Sequence, residues 1–268
     1  MAFHEVHGEP FLLKNQRSLN DRSLGQLIEA STASVCGERD KDSDGETVLT
    51  ENIFDIGQLV ESNGYVYSKY LAEKLILDAI EEKGLDAKII RMGNLTGRYS
   101  DGEFQINFRT NNFMNTLRAY VALGCFPVQQ MDEKDEFSPI DEAARATVLL
   151  AGTNSEFTVF HAYNFHTVEM GDLVEILNSN GFKVDVVDEK EFNARLSDAL
   201  SDDKINSYVS PLINYKTDND ENIIENDTDN AFTVKALYRL GFHWNITDRE
   251  YIDNVIIMLK TLGFFDIS

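Results

Sequence analysis

A tyrosine and a lysine spaced by one helical turn are the residues of this chain best suited to chemistry. Tyr65 and Lys69 lie four residues apart in a segment predicted to begin a helix that ends at Gly84, so both side chains would share one helix face. An ammonium group beside a tyrosine stabilises its phenolate, which makes Tyr65 a candidate proton donor. In a chain with ten tyrosines the spacing alone is a weak indicator, because an amphipathic surface pair would look the same.

Two further segments could supply partners for Tyr65. Residues 31–37 are small and β-branched and predict a strand end that runs into a loop, with Thr32 at its start. Residues 86–92 predict a strand that directly follows the Tyr65 helix, with an Asn- and Gly-containing loop over residues 93–98. A helix linked closely to the next strand is typical of a parallel α/β sheet, whose ligands bind at the carboxyl edge. Further helices are predicted over residues 107–126 and 189–200.

The composition favours a folded protein with an acidic surface. The chain has 268 residues, 43% of them apolar, which suits one large domain or a domain with a smaller lobe. A net charge of -22 disfavours nucleic acid and anionic membranes as partners. We find no signal-like N-terminus, no bilayer-length apolar run and no metal-ligand spacing around Cys36 and Cys125, so we expect a cytoplasmic protein without a metal site.

Several short motifs follow one another along the chain, and together they indicate a protein family far more specifically than the Tyr–Lys spacing does. They comprise residues 31–35, 64–69, 72–73, 91–98, 100–105, 137–141, 240–244 and 262–265. Together they resemble the thioester reductase domains of nonribosomal peptide synthetases and carboxylic acid reductases, within the extended short-chain dehydrogenase/reductase superfamily. The resemblance covers roughly residues 31–268. It implies an α/β fold: a partial doubly wound, Rossmann-type parallel sheet plus a smaller C-terminal α+β substrate lobe.

The resemblance also implies catalytic roles for three residues. Thr32 would stand where the superfamily has its catalytic Ser or Thr, and Tyr65 would be the proton donor. Lys69 would stabilise the phenolate and contact the ribose of the nicotinamide nucleotide. Two hydroxyl groups could then donate to the oxygen on which negative charge develops, as in an oxyanion hole.

The loop after the second strand is implied to face the cofactor and the substrate. Gly93, Asn94 and Leu95 would close against the nicotinamide side of the cofactor. Arg98 would be either a cation facing the substrate or a phosphate, or part of a structural ion pair in a very acidic protein. The sequence leaves these two interpretations of Arg98 open.

The start of the chain departs from the family pattern. Members open with a strand and a GxxGxxG turn that binds the cofactor pyrophosphate, and no such turn occurs here. Residues 26–30 are predicted to be helical rather than to form the apolar strand expected before Thr32. We therefore expect residues 1–30 to be a remnant or unassigned segment, 31–156 the C-terminal part of the NAD(P)-binding domain, and 157–268 the substrate-binding lobe.

The function implied is NADPH-dependent reductive release of an acyl or peptidyl thioester from a phosphopantetheinyl carrier protein, as an aldehyde or onward to an alcohol. Without the glycine-rich half, such a chain would be weakly active or inactive. One alternative is a non-catalytic fragment that only binds a carrier protein. Another is a nucleotide-sugar epimerase or dehydratase of the same superfamily.

Overall fold

The computed structural model describes residues 25–42, 48–104, 108–215 and 223–267. Its strands are β1 Leu27–Thr32, β2 Glu38–Asp40, β3 Val48–Leu49, β4 Ala87–Met92, β5 Leu95–Thr96, β6 Cys125–Pro127, β7 Lys134–Glu136, β8 Ser138–Pro139, β9 Val159–Ala162, β10 Thr167–Glu169, β11 Asp185–Val187, β12 Ile223–Glu225 and β13 Asp227–Thr228. Its helices are α1 Gly64–Lys83, α2 Asn112–Leu123, α3 Ile140–Ala151, α4 Met170–Ser179, α5 Glu189–Leu200, α6 Asn206–Val209, α7 Ala231–Arg239 and α8 Arg249–Thr261. Most of the predicted 1–30 segment lies outside the described residues.

Three parallel strands form the sheet that positions the candidate site. Their order is β1-β4-β9, so β4 is central among the described strands. Thr32 pairs with Met92, and Met92 pairs with Ala162, which places the carboxyl ends of all three strands in one row. Residues that follow these ends therefore meet at the same edge of the sheet.

The helix predicted over residues 26–30 is wrong, because Leu27–Thr32 forms strand β1. Leu27 packs with the apolar residues under α1, whereas Ile28 packs with those on the opposite face of the sheet. Successive side chains on opposite faces are the signature of a strand. A short apolar run fits a helix or a strand equally well, and parallel pairing with β4 decides between them here.

Helix α1 has the predicted bounds, and its ends are fixed by local chemistry. The Asn63 side chain caps the start by accepting from the backbone N–H groups of Tyr65 and Val66, at 3.0 and 3.3 Å. Gly84 ends the helix with φ of 66°, a left-handed conformation that glycine adopts without steric cost. Ile76 packs under the helix against Ile89 of β4, which fixes α1 on one face of the sheet.

Helices cover both faces of the sheet, which confirms the predicted doubly wound α/β class. The face opposite α1 carries α3 and α7, and its apolar core is formed by Ile90, Ala143, Ala146, Leu150, Phe160, Ala162, Leu237, Phe242 and Trp244. In the part of the chain that the structure describes, no helix is long and apolar enough to cross a membrane.

A second, larger apolar cluster lies outside this sheet. It joins α2, α4, α5 and α8 with the aromatic residues at the end of the chain. Residues 104 and 108–137 contribute to this cluster, whereas β9 and α7 contribute to the core beside the sheet. The two cores thus interleave along the sequence rather than meeting at residue 157. The assignment of cofactor and substrate binding to 31–156 and 157–268 stays a prediction.

Candidate functional site

Thr32 and Tyr65 approach the same end of the sheet from two elements. Thr32 ends β1 and caps the short 3-10 helix Ala33–Cys36, accepting from the backbone N–H of Ser34 at 3.2 Å. Tyr65 lies in the first turn of α1, which packs against β1 and this 3-10 helix. The Tyr65 side chain is 51% exposed, so its ring is open to a ligand at this edge. The structure thus brings both predicted residues to one side of the fold.

Lys69 connects α1 to β1 one turn after Tyr65. Its Nζ donates to the backbone carbonyl of Ala30 at 2.5 Å and pairs with the Glu29 carboxylate at 3.0 Å. Ala30 is two residues before Thr32, so the Lys69 ammonium group lies near the carboxyl end of β1. An ammonium group has three N–H donors. Among the described residues two are engaged, which leaves the third for a ligand.

The loop after β4 is closely packed against β7. The backbone N–H of Asn94 donates to Glu136 Oε1, and the Ser138 hydroxyl donates to Glu136 Oε2 at 2.5 Å. A Cβ placed on Gly93 would lie 1.9 Å from Glu136 Oε1 and 2.6 Å from the Tyr163 Cβ. Only glycine therefore fits at position 93, since any side chain would displace the loop or the strand behind it.

The rest of this loop is held by hydrogen bonds from distant elements. The Asn111 side chain donates to the carbonyl of Leu95 at 3.0 Å. The Tyr251 hydroxyl donates to the carbonyl of Gly97 at 2.7 Å and accepts from the Thr96 hydroxyl at 2.6 Å. These contacts give Gly93, Asn94 and Leu95 a fixed geometry, and their role in binding a cofactor stays a prediction.

Arg98 lies at the surface in an ion pair. Its guanidinium bonds both oxygens of Asp101, with Nε–Oδ1 at 3.0 Å and Nη2–Oδ2 at 2.7 Å, and also bonds Glu103. These contacts form an ion pair of the kind that one of the two interpretations of Arg98 predicts. A role of Arg98 in binding substrate stays a prediction.

A buried polar network below Thr32 has no counterpart among the predicted site residues. Ser31, Arg91 and His161 are paired in register on β1, β4 and β9, and Glu73 of α1 lies over them. Arg91 bonds the Glu73 carboxylate through Nε, at 3.1 Å from both oxygens, and through Nη2, at 2.7 Å from Oε2. The Ser31 hydroxyl donates to Glu73 Oε1 at 2.5 Å. All four side chains are buried.

His161 completes the network as a neutral ring. Arg91 has only donors, so the His161 Nε2 that lies 2.9 Å from Arg91 Nη1 must accept. Nδ1 therefore carries the proton and donates to the Asp229 carbonyl at 2.7 Å. Burial and the nearby Arg91 charge lower the pKa of His161 to about 3, which keeps the ring neutral at physiological pH. His161 thus serves a structural role, since both of its ring nitrogens are engaged inside the protein.

Glu136 is expected to make the protein less stable as the pH rises from about 4.5 to about 8. Burial raises the pKa of Glu136 from 4.5 to about 8, and Asp135 adds to the effect. The folded chain therefore binds the proton more tightly than the unfolded chain, and stability is lost as the pH rises through the folded pKa. Between these two pH values the free energy of unfolding should fall by about 1.4 kcal/mol per pH unit. Urea unfolding of wild type and Glu136→Gln across this range measures it.

The matched control for this prediction is Glu169→Gln on the neighbouring strand. Glu169 is exposed and forms a surface pair with Lys134 at 3.4 Å, so its replacement should leave the slope unchanged. Glu136→Gln should flatten the slope, because the titrating group is removed. An equal slope in wild type and Glu136→Gln would contradict the prediction.

Comparisons with known proteins assign this fold to a class. The profile of an NAD-binding domain family, described as male sterility protein, matches residues 17–147. A solved UDP-glucuronic acid 4-epimerase from Bacillus cereus in complex with NAD shares the fold, at a TM-score of 0.55 and 13% identity over 92% of this chain and 65% of that one. The chain therefore shares the α/β fold of this epimerase, and part of it resembles an NAD-binding domain family. No curated protein matches the chain.

Two more similar structures define the relationship further. One is a thiolation-reductase di-domain from an archaeal non-ribosomal peptide synthetase, with a TM-score of 0.75 and 33% identity over 90% of this chain and 50% of that one. The other is the reductase domain of the aureusimine biosynthetic cluster, with a TM-score of 0.73 and 25% identity over 89% and 60%. The chain spans about half of the first structure's length. The predicted resemblance is confirmed: this chain is a relative of the reductase domains of nonribosomal peptide synthetases.

The residues at the sheet edge fit one half of a nicotinamide nucleotide. The hydroxyl groups of Thr32 and Tyr65 could donate to a carbonyl oxygen once the Thr32 hydroxyl turns away from Ser34 Oγ, to which it donates at 3.2 Å, and the remaining N–H of Lys69 could donate to a ribose hydroxyl. The sequence contains no GxxGxxG turn that would cradle the pyrophosphate. The donor set thus suits the nicotinamide riboside end.

Proposed function

We propose that this chain carries the catalytic part of a thioester reductase. It acts on an acyl or peptidyl thioester held on the phosphopantetheine arm of a carrier protein and releases an aldehyde, with NADPH as the reductant. The observation that carries the proposal is that Thr32, Tyr65 and Lys69 come to one end of the sheet, where Lys69 also bonds β1 beside Thr32. The similarity to a thiolation-reductase di-domain supports the substrate class.

The residues divide the chemistry between them. A nicotinamide nucleotide held at this edge would supply the hydride for the thioester carbonyl carbon. The Thr32 and Tyr65 hydroxyl groups donate to the carbonyl oxygen while negative charge develops on it. Tyr65 then gives up its proton to that oxygen, and Lys69 stabilises the phenolate. The hemithioacetal then collapses. The C–S bond breaks, the hydroxyl group on the same carbon loses its proton to give the aldehyde, and the departing thiolate takes up a proton to give the free thiol.

An acyl-pantetheine thioester offered with NADPH tests the reaction. We expect NADPH to be oxidised with release of one free thiol per aldehyde, and we expect fluorescence titration to show saturable NADPH binding. Replacement of NADPH by NADH in the same titration tests the cofactor preference. Full NADPH binding without any turnover of the thioester would contradict the proposed reaction.

A second candidate function needs no cofactor: the chain would bind a carrier protein without reducing its cargo. The similarity to a thiolation-reductase di-domain is compatible with such binding. In that case the chain would bind an acyl carrier protein, and the affinity would be the same with and without NADPH. A reductase activity that disappears in Tyr65→Phe would reject this candidate.

The fold is also shared by a nucleotide-sugar epimerase, although at 13% identity. A nucleotide sugar offered to the chain with NAD separates this activity from thioester reduction. We expect no epimerised product, because the higher identity lies with the reductase domains, at 33% for the archaeal di-domain.

A further inference from the structure

The buried polar network lies directly behind the candidate site. Ser31, Arg91 and His161 form one row across the three strands, and the row that follows is Thr32, Met92 and Ala162. Ser31 is 5% exposed, and Arg91 and His161 are fully buried. Polar groups in the interior are costly unless each is bonded, and here the bonds join the sheet to the helix that carries Tyr65.

Hydrogen bonds from Lys69 and to Glu73 tie α1 to consecutive residues of β1. Lys69 Nζ donates to the Ala30 carbonyl, and the Ser31 hydroxyl donates to Glu73 Oε1, both at 2.5 Å. Lys69 and Glu73 are one turn apart on the helix, and Ala30 and Ser31 are consecutive on the strand. Because the two contacts act at different heights along the helix, they oppose both its rotation and its sliding on the strand.

Arg91 fixes the orientation of the Glu73 carboxylate. It bonds both carboxylate oxygens of Glu73, while its Nη1 donates to His161. A carboxylate held on both oxygens in a buried setting cannot rotate without losing charge-assisted hydrogen bonds. The acceptor offered to Ser31 is therefore fixed in position by the central strand of the sheet.

We infer that Ser31 and Glu73 are positioning residues whose buried hydrogen bond sets the register of α1 on β1 and thereby places Tyr65 and Lys69 at the end of β1, beside Thr32. The catalytic consequence rests on the proposed function. Neither residue reaches the exposed edge where a substrate would bind. Loss of their hydrogen bond should therefore lower kcat and leave KM nearly unchanged.

Ser31→Ala in the full chain is the direct test. The variant removes one contact, yet Glu73 keeps its bonds to Arg91, so we expect the protein to fold. We expect kcat for acyl-pantetheine reduction to fall by about tenfold to a hundredfold, because small misplacements of catalytic groups have effects of this size. KM for the thioester should change by less than about twofold. Ser31→Thr, which keeps the hydroxyl, should restore most of the rate.

Ile76→Ala is the matched control on the same helix. Ile76 is buried under α1 in the apolar cluster with Ile89, so its truncation should destabilise the protein at least as much as Ser31→Ala. The polar contacts of Lys69 and Glu73 with β1 remain, and kcat should stay near the wild-type value. Equal loss of kcat in the two variants, or no recovery in Ser31→Thr, would overturn the inference.

Hydrogen exchange gives a second measurement that needs no activity. In Ser31→Ala, amide hydrogen exchange should quicken by about tenfold or more at residues 32–36 and 64–69 alone. In Ile76→Ala, exchange should instead quicken along the whole of α1. If the wild type reduces no thioester, the proposed function fails, and exchange alone decides the inference. Identical exchange patterns in the two variants would then reject it.

Discussion

Glu73→Gln is expected to lower the free energy of unfolding by about 3–5 kcal/mol, the largest stability effect of a single substitution that we predict. Glu73 and Arg91 are both fully buried, with Nη2–Oε2 at 2.7 Å. A neutral glutamine leaves the Arg91 charge without a counterion inside the protein. Urea unfolding at neutral pH measures the loss.

Two controls show whether burial of an unpaired charge is the cause. Glu191→Gln breaks the surface pair with Arg195, at 2.5 Å on an exposed helix face, and should cost no more than about 0.5 kcal/mol. The double variant Glu73→Leu/Arg91→Met replaces the buried pair with apolar side chains and should recover about half or more of the loss. A loss below about 1 kcal/mol in Glu73→Gln would show that the pair is not isolated from solvent.

Tyr65→Phe is expected to lower the rate of thioester reduction by a factor of about 10²–10⁴, since the reaction loses its proton donor. The Tyr65 side chain is 51% exposed, so removal of its hydroxyl should change the free energy of unfolding by less than about 0.5 kcal/mol. Steady-state kinetics with an acyl-pantetheine thioester, alongside urea unfolding, separates the two effects.

Tyr67→Phe is the matched control for this loss of activity. Tyr67 lies two residues further along α1, is 38% exposed and points to a different side of the helix. Its replacement should leave the rate within about twofold of wild type, because a two-residue step turns a side chain away from the Lys69 face. Equal losses in the two variants would show that the hydroxyl of Tyr65 has no special role.

The sequence predicted those parts of the fold whose signals are local. Helix α1 begins after Asn63 and ends at Gly84 because capping and a left-handed glycine act within one turn. Helix α5, Glu189–Leu200, matches its predicted range for the same reason, since the Asp188 side chain caps its first turn. The predicted 107–126 helix is shorter in the structure: Gly124 ends α2, and the next residues pair with β11 as strand β6.

The parts that the sequence missed depend on long-range contacts. Residues 27–30 of strand β1 were predicted as a helix because nothing within residues 26–30 reveals their pairing with β4. Ser31, Glu73 and Arg91 belong to the family motifs, but their hydrogen bonds join residues 18 and 42 positions apart. Glu136 is one acidic residue among many, and only the fold places it against Gly93.

The most direct test of the proposed reductase is the mass of an acyl carrier protein after incubation with this chain and NADPH. We predict that the carrier loses its acyl group and regains a free phosphopantetheine thiol, that an equal amount of aldehyde appears, and that Tyr65→Phe abolishes both changes. A carrier that keeps its acyl group with saturating NADPH and wild-type protein would contradict the proposal. Release of a carboxylic acid in place of the aldehyde would contradict it equally.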